Sequence, residues 1–344
     1  MDTISSFWAG AQDLADKLDL DSLVERAGSW QALMAMRTHD LVAIGVREDL
    51  ARKWRATRPR ETQGLAVTRV HERYPSRLAN RPKAPPVLFV EGEREALSER
   101  CIGIVGTRRC TPYGAAVARH LGAAFARAGW VVVSGLARGI DTHAHRGALE
   151  AGTTVAVLGH GLNMTSPASN LRLRRTILEH HGAMVTTFPD DHQAARWTFP
   201  ARNRWIVGLS ELLVVVEAPQ RSGALISAHL ALEIDVPVFV VPGHIGVEAC
   251  RGSNELIEQG ACPLIDVDRF VDEWTGRLPF DLPPPSWLQE VLSGHSVDAV
   301  ATQHGRSALD LISHLTQLEL EGRVVRLPGG RYASTGMDLG DDVV

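Results

Sequence analysis

The 344 residues hold only four cysteines, and none forms a C-x-x-C pair or a Cys/His knuckle. That excludes a disulfide framework and a zinc-ribbon site, and leaves Cys101, Cys110, Cys250 and Cys262 as small reduced thiols. No apolar run reaches the roughly 18–20 residues of a membrane span. The opening MDTISSFWAG lacks a basic stretch leading into an apolar one, so no secretory signal is expected and the chain is read as cytoplasmic. The Gly-rich signatures G-x-G-x-x-G and G-x-x-x-x-G-K-S/T are missing, as is the G-x-S-x-G nucleophile elbow. Lysine is nearly absent, three against 33 arginines. The formal net charge of −4 gives no sign by itself of a polyanionic partner.

What is present is an alternation of elements. Residues 5–60 carry helical apolar spacing, as in LADKLDLDSLVERAG, and read as a small helical (SAM-like) module. After a proline-broken stretch with a first strand at VLFVEG, seven further strands alternate with helices: CIGIVG, WVVVSG, TTVAVLG, AMVTTFP, LLVVVEA, PVFVVPG and CPLID. Continuous apolar runs separated by amphipathic helices imply strands buried on both faces. The fold class is therefore α/β, an extended Rossmann-like, doubly wound, mostly parallel sheet with helices on both sides. A proline-rich linker, three short helices and a Pro-Gly-Gly hairpin (RVVRLPGGRYAS) follow, the layout of a winged helix. The expected boundaries are 1–65 (helical module), 66–278 (core), 279–286 (linker), 287–335 (winged helix) and 336–344 (tail).

In a doubly wound sheet, ligands sit at the carboxyl ends of the strands. Here those ends share one chemical character. GTRRCTPYG offers Gly106, Thr107, Arg108 and Arg109; SGLARGID offers Ser134, Gly135, Arg138 and Gly139, with Asp141 as an N-cap. The segment after the third strand offers Asn170, Arg172 and Arg174; ARNR offers Arg202, Asn203 and Arg204; QRSG offers Arg221, Ser222 and Gly223. Residues 101–146 alone hold six arginines and one acid, Asp141. Helix N-termini, close-approach glycines and guanidiniums suit phosphate oxygens. One such turn by itself reads as ordinary capping. Several along one edge fit a string of phosphates, hence a polynucleotide.

Other chemistry has less support. His143 and His145 are two apart on a helix and point to nearly opposite sides, so no shared metal is expected, and no cofactor. Glu217 ends a buried strand and is expected to order loops, through an arginine, rather than to act as a base. The candidate recognition helix, SALDLISHLTQLELEG, has three acids and no basic residue, which favours a protein-binding or regulatory role over DNA reading.

At these turns the sequence resembles the DNA-processing protein A (DprA/Smf) family, in YPSRL, IVGTRRCTPYG, VVSGLARGIDTHAHRGALEAGTTVAVLGHGLN, FPARNRWIVGLSELLVVVEAPQRSGALISAHLALE and GSNELIEQGA. The resemblance implies a cytosolic, dimeric, non-catalytic protein. Such a protein binds and protects single-stranded DNA, helps displace single-strand-binding protein, and loads RecA recombinase during natural transformation. By position it assigns Gly106, Thr107 and Arg108 to a phosphate clamp and places the SGLARGID and ARNR segments in the same pocket. It puts Arg172 and Arg174 among its basic residues, and Leu256 and Ile257 in the region where the family dimerises. The family's Tyr-Pro is Ser166-Pro167 here, which removes an aromatic platform, and Trp197, Phe199 and Trp205 are candidates to replace it. Two rival readings are a phosphoribohydrolase-like nucleotide enzyme and a winged-helix regulator. Against the first, VPGHIGVEA keeps only the Pro-Gly of P-G-G-x-G-T-x-x-E.

Overall fold

The computed structural model describes residues 7, 14, 17–57, 64–69, 73–275, 286–320, 324–327 and 330–334. The expected linker, apart from Ser286, and the tail lie outside them. The chain divides into two compact units, Met1–Val271 and Asp272–Val344.

The first unit begins with four short helices: α1 (Leu20–Ala27), α2 (Trp30–Ala35), α3 (Thr38–Ala43) and α4 (Glu48–Ala56). Their starts are locally encoded, since Asp19 and Ser29 accept from the amides of Ser22 and Ala32. Then follow β1 (Leu65–Thr68), α5 (Ser76–Ala79), β2 (Val87–Gly92), β3 (Cys101–Val105) and α6 (Pro112–Arg127). Next come β4 (Val131–Ser134), α7 (Ile140–Ala148), β5 (Thr154–Val157), α8 (Leu171–Glu179) and β6 (Ala183–Thr186). The unit closes with α9 (Thr198–Leu209), β7 (Leu212–Val215), α10 (Gly223–Glu233), β8 (Val238–Val240), α11 (Arg251–Glu258), β9 (Cys262–Pro263) and the start of α12 (Val267–Thr275).

Nine strands form one sheet in the order β1-β2-β6-β5-β4-β3-β7-β8-β9. All pairs from β6 to β9 are parallel; β1–β2 and β2–β6 are antiparallel. The extended Rossmann-like reading holds, with all eight expected strands present and β1 added at the edge. Strand residues alternate between two cores, as the two-residue period of a strand requires. Val155, Val157 and Val185 join one cluster, Ala156, Leu158 and Met184 the other. Leu33, Leu41, Leu50 and Trp54 from α2–α4 join that second cluster with Val87 and Phe89. The N-terminal helices thus cover part of one face of the sheet.

The chain runs outward from β3 through β4 and β5 to β6, then returns to β7 on the other side of β3. The switch point lies between the carboxyl ends of β3 and β7, where a ligand crevice belongs.

Leu256, assigned by resemblance to the region where the family dimerises, is 5% exposed within the chain's own core, and Ile257, half-buried, packs against that core. The apolar stripe of α11 turns inward, and its end is tied down by the Ala261 amide on the Leu256 carbonyl (2.9 Å).

The second unit holds α13 (Ser286–Leu292), α14 (Val297–Gln303), α15 (Ala308–Leu320) and the antiparallel hairpin β10 (Val324–Leu327) and β11 (Arg331–Ser334). Trp287, Val291, Val300, Leu311, Leu315 and Tyr332 close its small core.

Candidate nucleic-acid interface

The turn after β3 is held from behind. The Thr107 amide donates to the Glu217 carbonyl (2.7 Å), and the Ile140 amide donates to the Thr107 carbonyl (3.2 Å). Gly106 fits because a Cβ there would stand 2.5 Å from Ile140 and 2.9 Å from the Glu217 carbonyl oxygen. The fully buried Glu217 carboxylate accepts from the Thr111 amide (2.8 Å) and hydroxyl (2.5 Å). Thr111 Oγ1 in turn caps α6 by accepting from the Gly114 amide (3.2 Å). Glu217 therefore orders this loop as expected, but through a threonine rather than an arginine. Thr107 is buried, and its hydroxyl accepts from the Arg109 amide. The backbone is fixed, and Arg108 and Arg109 project from it into solvent. The Arg108 guanidinium rests on the Phe199 ring, 4.7 Å from its centroid.

The turn after β4 is built the other way. The amides of Gly135 and Ala137 donate to Asp141 Oδ2 (3.1 and 3.3 Å), and the Leu136 amide donates to His145 Nε2 (3.3 Å). Three successive donors that a phosphate would need are used internally. Asp141 is a cap for this turn; the residue at the N-cap of α7 is Gly139, with φ 74°. Asn170 completes the structure by donating to the carbonyls of Leu136 (2.9 Å) and Ala137 (3.2 Å) and to the Thr142 hydroxyl (2.9 Å). Ser134 is fully buried and donates to the Ile104 carbonyl (2.6 Å).

Arg202 is the buried counter-charge. Its guanidinium lies directly beneath Gly135, where a Cβ would come within 1.7 Å of Nη1. It donates to the Val157 carbonyl (2.5 Å) and the Asn203 side chain (2.9 Å), and stands 3.9 Å from Asp141. Burial pushes the Asp141 carboxyl up, and Arg202 opposes that. Burial pulls Arg202 down to about 10, with Asp141 holding it charged. His145 is pushed to about 3 by burial and by Arg202. A neutral ring fits its contacts, with Nε2 accepting from Leu136 and Nδ1–H donating to Thr154 Oγ1 (2.7 Å). His145 is thus a packing group, while His143 is half-exposed on the same helix.

The sequence-derived residues thus separate into two sets. Ser134, Asn170, Arg174, Arg202 and Asn203 are buried with internal partners. Arg174 pairs with Glu91 and donates to the Leu162 carbonyl (2.7 Å), fastening the loop after β5 to β2. Asn203 donates to the Gly223 carbonyl (3.1 Å). Ser222 caps α10 by accepting from the Ala224 amide (3.2 Å), and Gly223 is exposed beside it. Arg204 is half-buried on the far side of α9, away from this edge, 5.9 Å from the Trp205 ring.

The second set comprises the exposed guanidiniums of Arg108, Arg109, Arg138, Arg172 and Arg221. No ion pair ties any of them among the described residues. Some arginines elsewhere on the unit are paired, Arg77 and Arg100 with Glu211 and Arg119 with Glu150, whereas Arg127, Arg146, Arg175 and Arg196 are exposed without an ion pair among the described residues but lie outside this row of turns in sequence. The second set belongs to the ends of β5, β4, β3 and β7, four neighbours spanning about 14 Å at ordinary strand spacing. That row is longer than a single phosphate group. Gly139 belongs to its floor, since its bare Cα faces the Thr107 carbonyl, 2.3 Å from where a Cβ would sit. In the second unit, α15 exposes Leu309, Asp310 and Ile312 and carries no Arg or Lys.

Among the described residues, no group of three or more His, Cys, Asp or Glu could hold a metal ion, and no helix is long and apolar enough to cross a membrane.

Comparison with known proteins follows the same division. The DNA recombination-mediator protein A family matches residues 66–275, and the DprA winged-helix domain matches residues 293–330. Protein Smf of Escherichia coli is 38% identical over 278 residues, covering 75% of this chain and 74% of that protein. DNA processing protein DprA of Bacillus subtilis is 40% identical over 208 residues, covering 60% and 70%. The crystal structure of Streptococcus pneumoniae DprA superposes with a TM-score of 0.70 at 27% identity, covering 79% of this chain and 98% of that one. A Helicobacter pylori DNA processing protein A structure described for its single-stranded-DNA binding mode superposes with a TM-score of 0.57 at 28% identity, covering 63% and 99%. With a doubly wound core, a winged-helix domain and these two family matches, the chain belongs to the DNA recombination-mediator protein A (DprA/Smf) family.

Proposed function

We propose that this protein binds the sugar–phosphate backbone of single-stranded DNA along the carboxyl edge of its sheet. The observation that carries the reading is the row of exposed, unpaired guanidiniums (Arg108, Arg109, Arg138, Arg172, Arg221) on a rigidly braced floor. Guanidiniums favour bidentate phosphate contact, and a row of them favours a polymer over a mononucleotide. The name of the Helicobacter relative's structure supports the choice of single-stranded DNA. Phosphate contacts carry no sequence information, so the binding is indifferent to base order.

Within that reading the protein is non-catalytic. It acts in the cytoplasm as a homodimer, protects incoming single strands, helps displace single-strand-binding protein and loads RecA for recombination during natural transformation. The dimer contact uses apolar groups other than Leu256. Leu232 (61% exposed) and Ile265 (80% exposed) are available in the segments flanking β8 and β9. The winged helix supports a protein contact, because its α15 presents apolar and acidic groups instead of cations.

The test is a mobility-shift series with single-stranded and duplex DNA of one sequence, followed by RecA ATPase activity on strands coated with single-strand-binding protein. The expected results are preferential retardation of the single strand and a shortened lag in RecA activity. No retardation of single strands at low salt contradicts the reading. Retardation without any RecA effect restricts it to binding and protection.

A further inference from the structure

Beside the first turns of α9 lies a cleft of about 920 Å³. Residues 17–21 form one wall, and the segment leading into β2 forms another. The third is the face of α9 carrying Trp197, Ala201, Arg204 and Trp205, a three-and-four spacing that puts them on one side.

Three observations point to what it holds. Trp197 is 58% exposed, although its ring is fixed edge-on against the stacked Phe188–His192 pair at 5.7 and 5.6 Å. An oriented aromatic with a free face is a stacking platform for a flat ring. The cleft is also lined by Lys17, Lys83 and Arg204, which include two of the chain's three lysines. Its two carboxylates are engaged elsewhere, Asp19 capping α1 and Asp21 paired with Arg69. Finally, the start of α9 borders both places, since Trp197 at its N-cap lines the cleft while Phe199, two residues on and on the other side, carries the Arg108 guanidinium.

We infer that the single strand held at the sheet edge continues into this cleft, stacking a base on Trp197 and drawing its next phosphates toward Arg204 and Lys83. This rests on the reading given under Proposed function. It also gives Arg204 a place: it meets DNA on the side of α9 away from the clamp. From Trp197 to Trp205 the helix axis advances about 12 Å, so the cleft lengthens the footprint beyond the clamp.

The experiment uses the full chain and fluorescence anisotropy of labelled oligothymidylates, a five-mer and a twenty-mer. Three variants are compared: Trp197→Ala, the double variant Lys83→Asn with Arg204→Gln, and Arg108→Ala. Asparagine suits position 83, whose φ is 56°. Thermal melts verify folding, which an exposed tryptophan does not govern. The expected result is a roughly tenfold loss of twenty-mer affinity for Trp197→Ala, within the range of one lost base stack, with five-mer affinity held within twofold. The double variant is expected to weaken the twenty-mer selectively and to lower its salt dependence. Wild-type affinity for the twenty-mer in both cleft variants, beside a loss on both oligomers for Arg108→Ala, overturns the cleft and leaves the clamp standing. An Arg108→Ala protein that binds both oligomers like wild type overturns the clamp and this path with it.

Discussion

The turn after β3 and the turn after β4 are made of the same residue types, glycine and arginine leading into a helix with a hydroxyl or carboxylate at its start. Their uses are opposite. In the first, the acid is Glu217, which braces Thr111 from another strand and leaves Arg108 and Arg109 facing outward. In the second, the acid is Asp141, in the first turn of the helix that follows, which consumes two of the turn's own amides with Arg202 beneath it. Only Arg138 is left to face solvent. A glycine-and-arginine turn is a phosphate site only where its charge has no partner inside the protein. The second turn is a brace that fixes the floor on which the free guanidiniums stand.

The sharpest way to break this contrast is Asp141→Ala. It strands Arg202 as an uncompensated buried charge, a loss on the order of 3–5 kcal/mol. Chemical denaturation should show that loss, and an Asp141→Ala protein that keeps wild-type stability while losing DNA would reverse the roles assigned here. The double variant Arg108→Ala with Arg138→Ala removes one outward cation from each turn. Each charge-assisted contact contributes about 1.5–3 kcal/mol, so single-strand affinity should fall at least roughly a hundredfold at unchanged melting temperature.

A pH series tests the brace from within. The folded pKa of His145, about 3, lies below its unfolded value of about 6.5, so between these the unfolded chain binds the extra proton. Its stability contribution is therefore complete above about pH 6.5 and is lost as pH falls toward 3. At pH 5 the loss amounts to about 2 kcal/mol, and His145→Gln should flatten that part of the profile. An identical profile for the variant would remove His145 from the account. The smallest effect is expected for Ser134→Ala, about 1 kcal/mol from one buried hydrogen bond, with DNA affinity unaltered. A binding defect there would show that Ser134 faces the ligand after all.

The sheet is legible in the sequence because strands buried on both faces must be continuous apolar runs, and CIGIV, VVVS and LLVV cannot be read otherwise. β1 escaped that reading because LAVT is only four residues long and follows a polar stretch. The candidate site was legible as an edge, and of the arginines the sequence points to there, Arg108, Arg109, Arg138, Arg172 and Arg221 are exposed. The sequence does not distinguish them from Arg174 and Arg202. The difference lies in Glu91 and Asp141, which the topology brings to those two from distant strand ends and which no local pattern announces. Asn170 is hidden for the same reason, since its three acceptors belong to the β4 turn. The burial of Leu256 was not legible either, because an amphipathic helix shows which face is apolar, not what covers it.

The account's central claim is that unpaired arginines at the ends of β3 and β4 hold a nucleic-acid backbone. Its most direct test is the slope of log affinity against log salt for oligothymidylate, measured for wild type and for Arg108→Ala with Arg138→Ala. The predicted result is a variant slope shallower by about 1.4, two contacts at about 0.7 each on a single strand. A variant slope equal to the wild type's would contradict it.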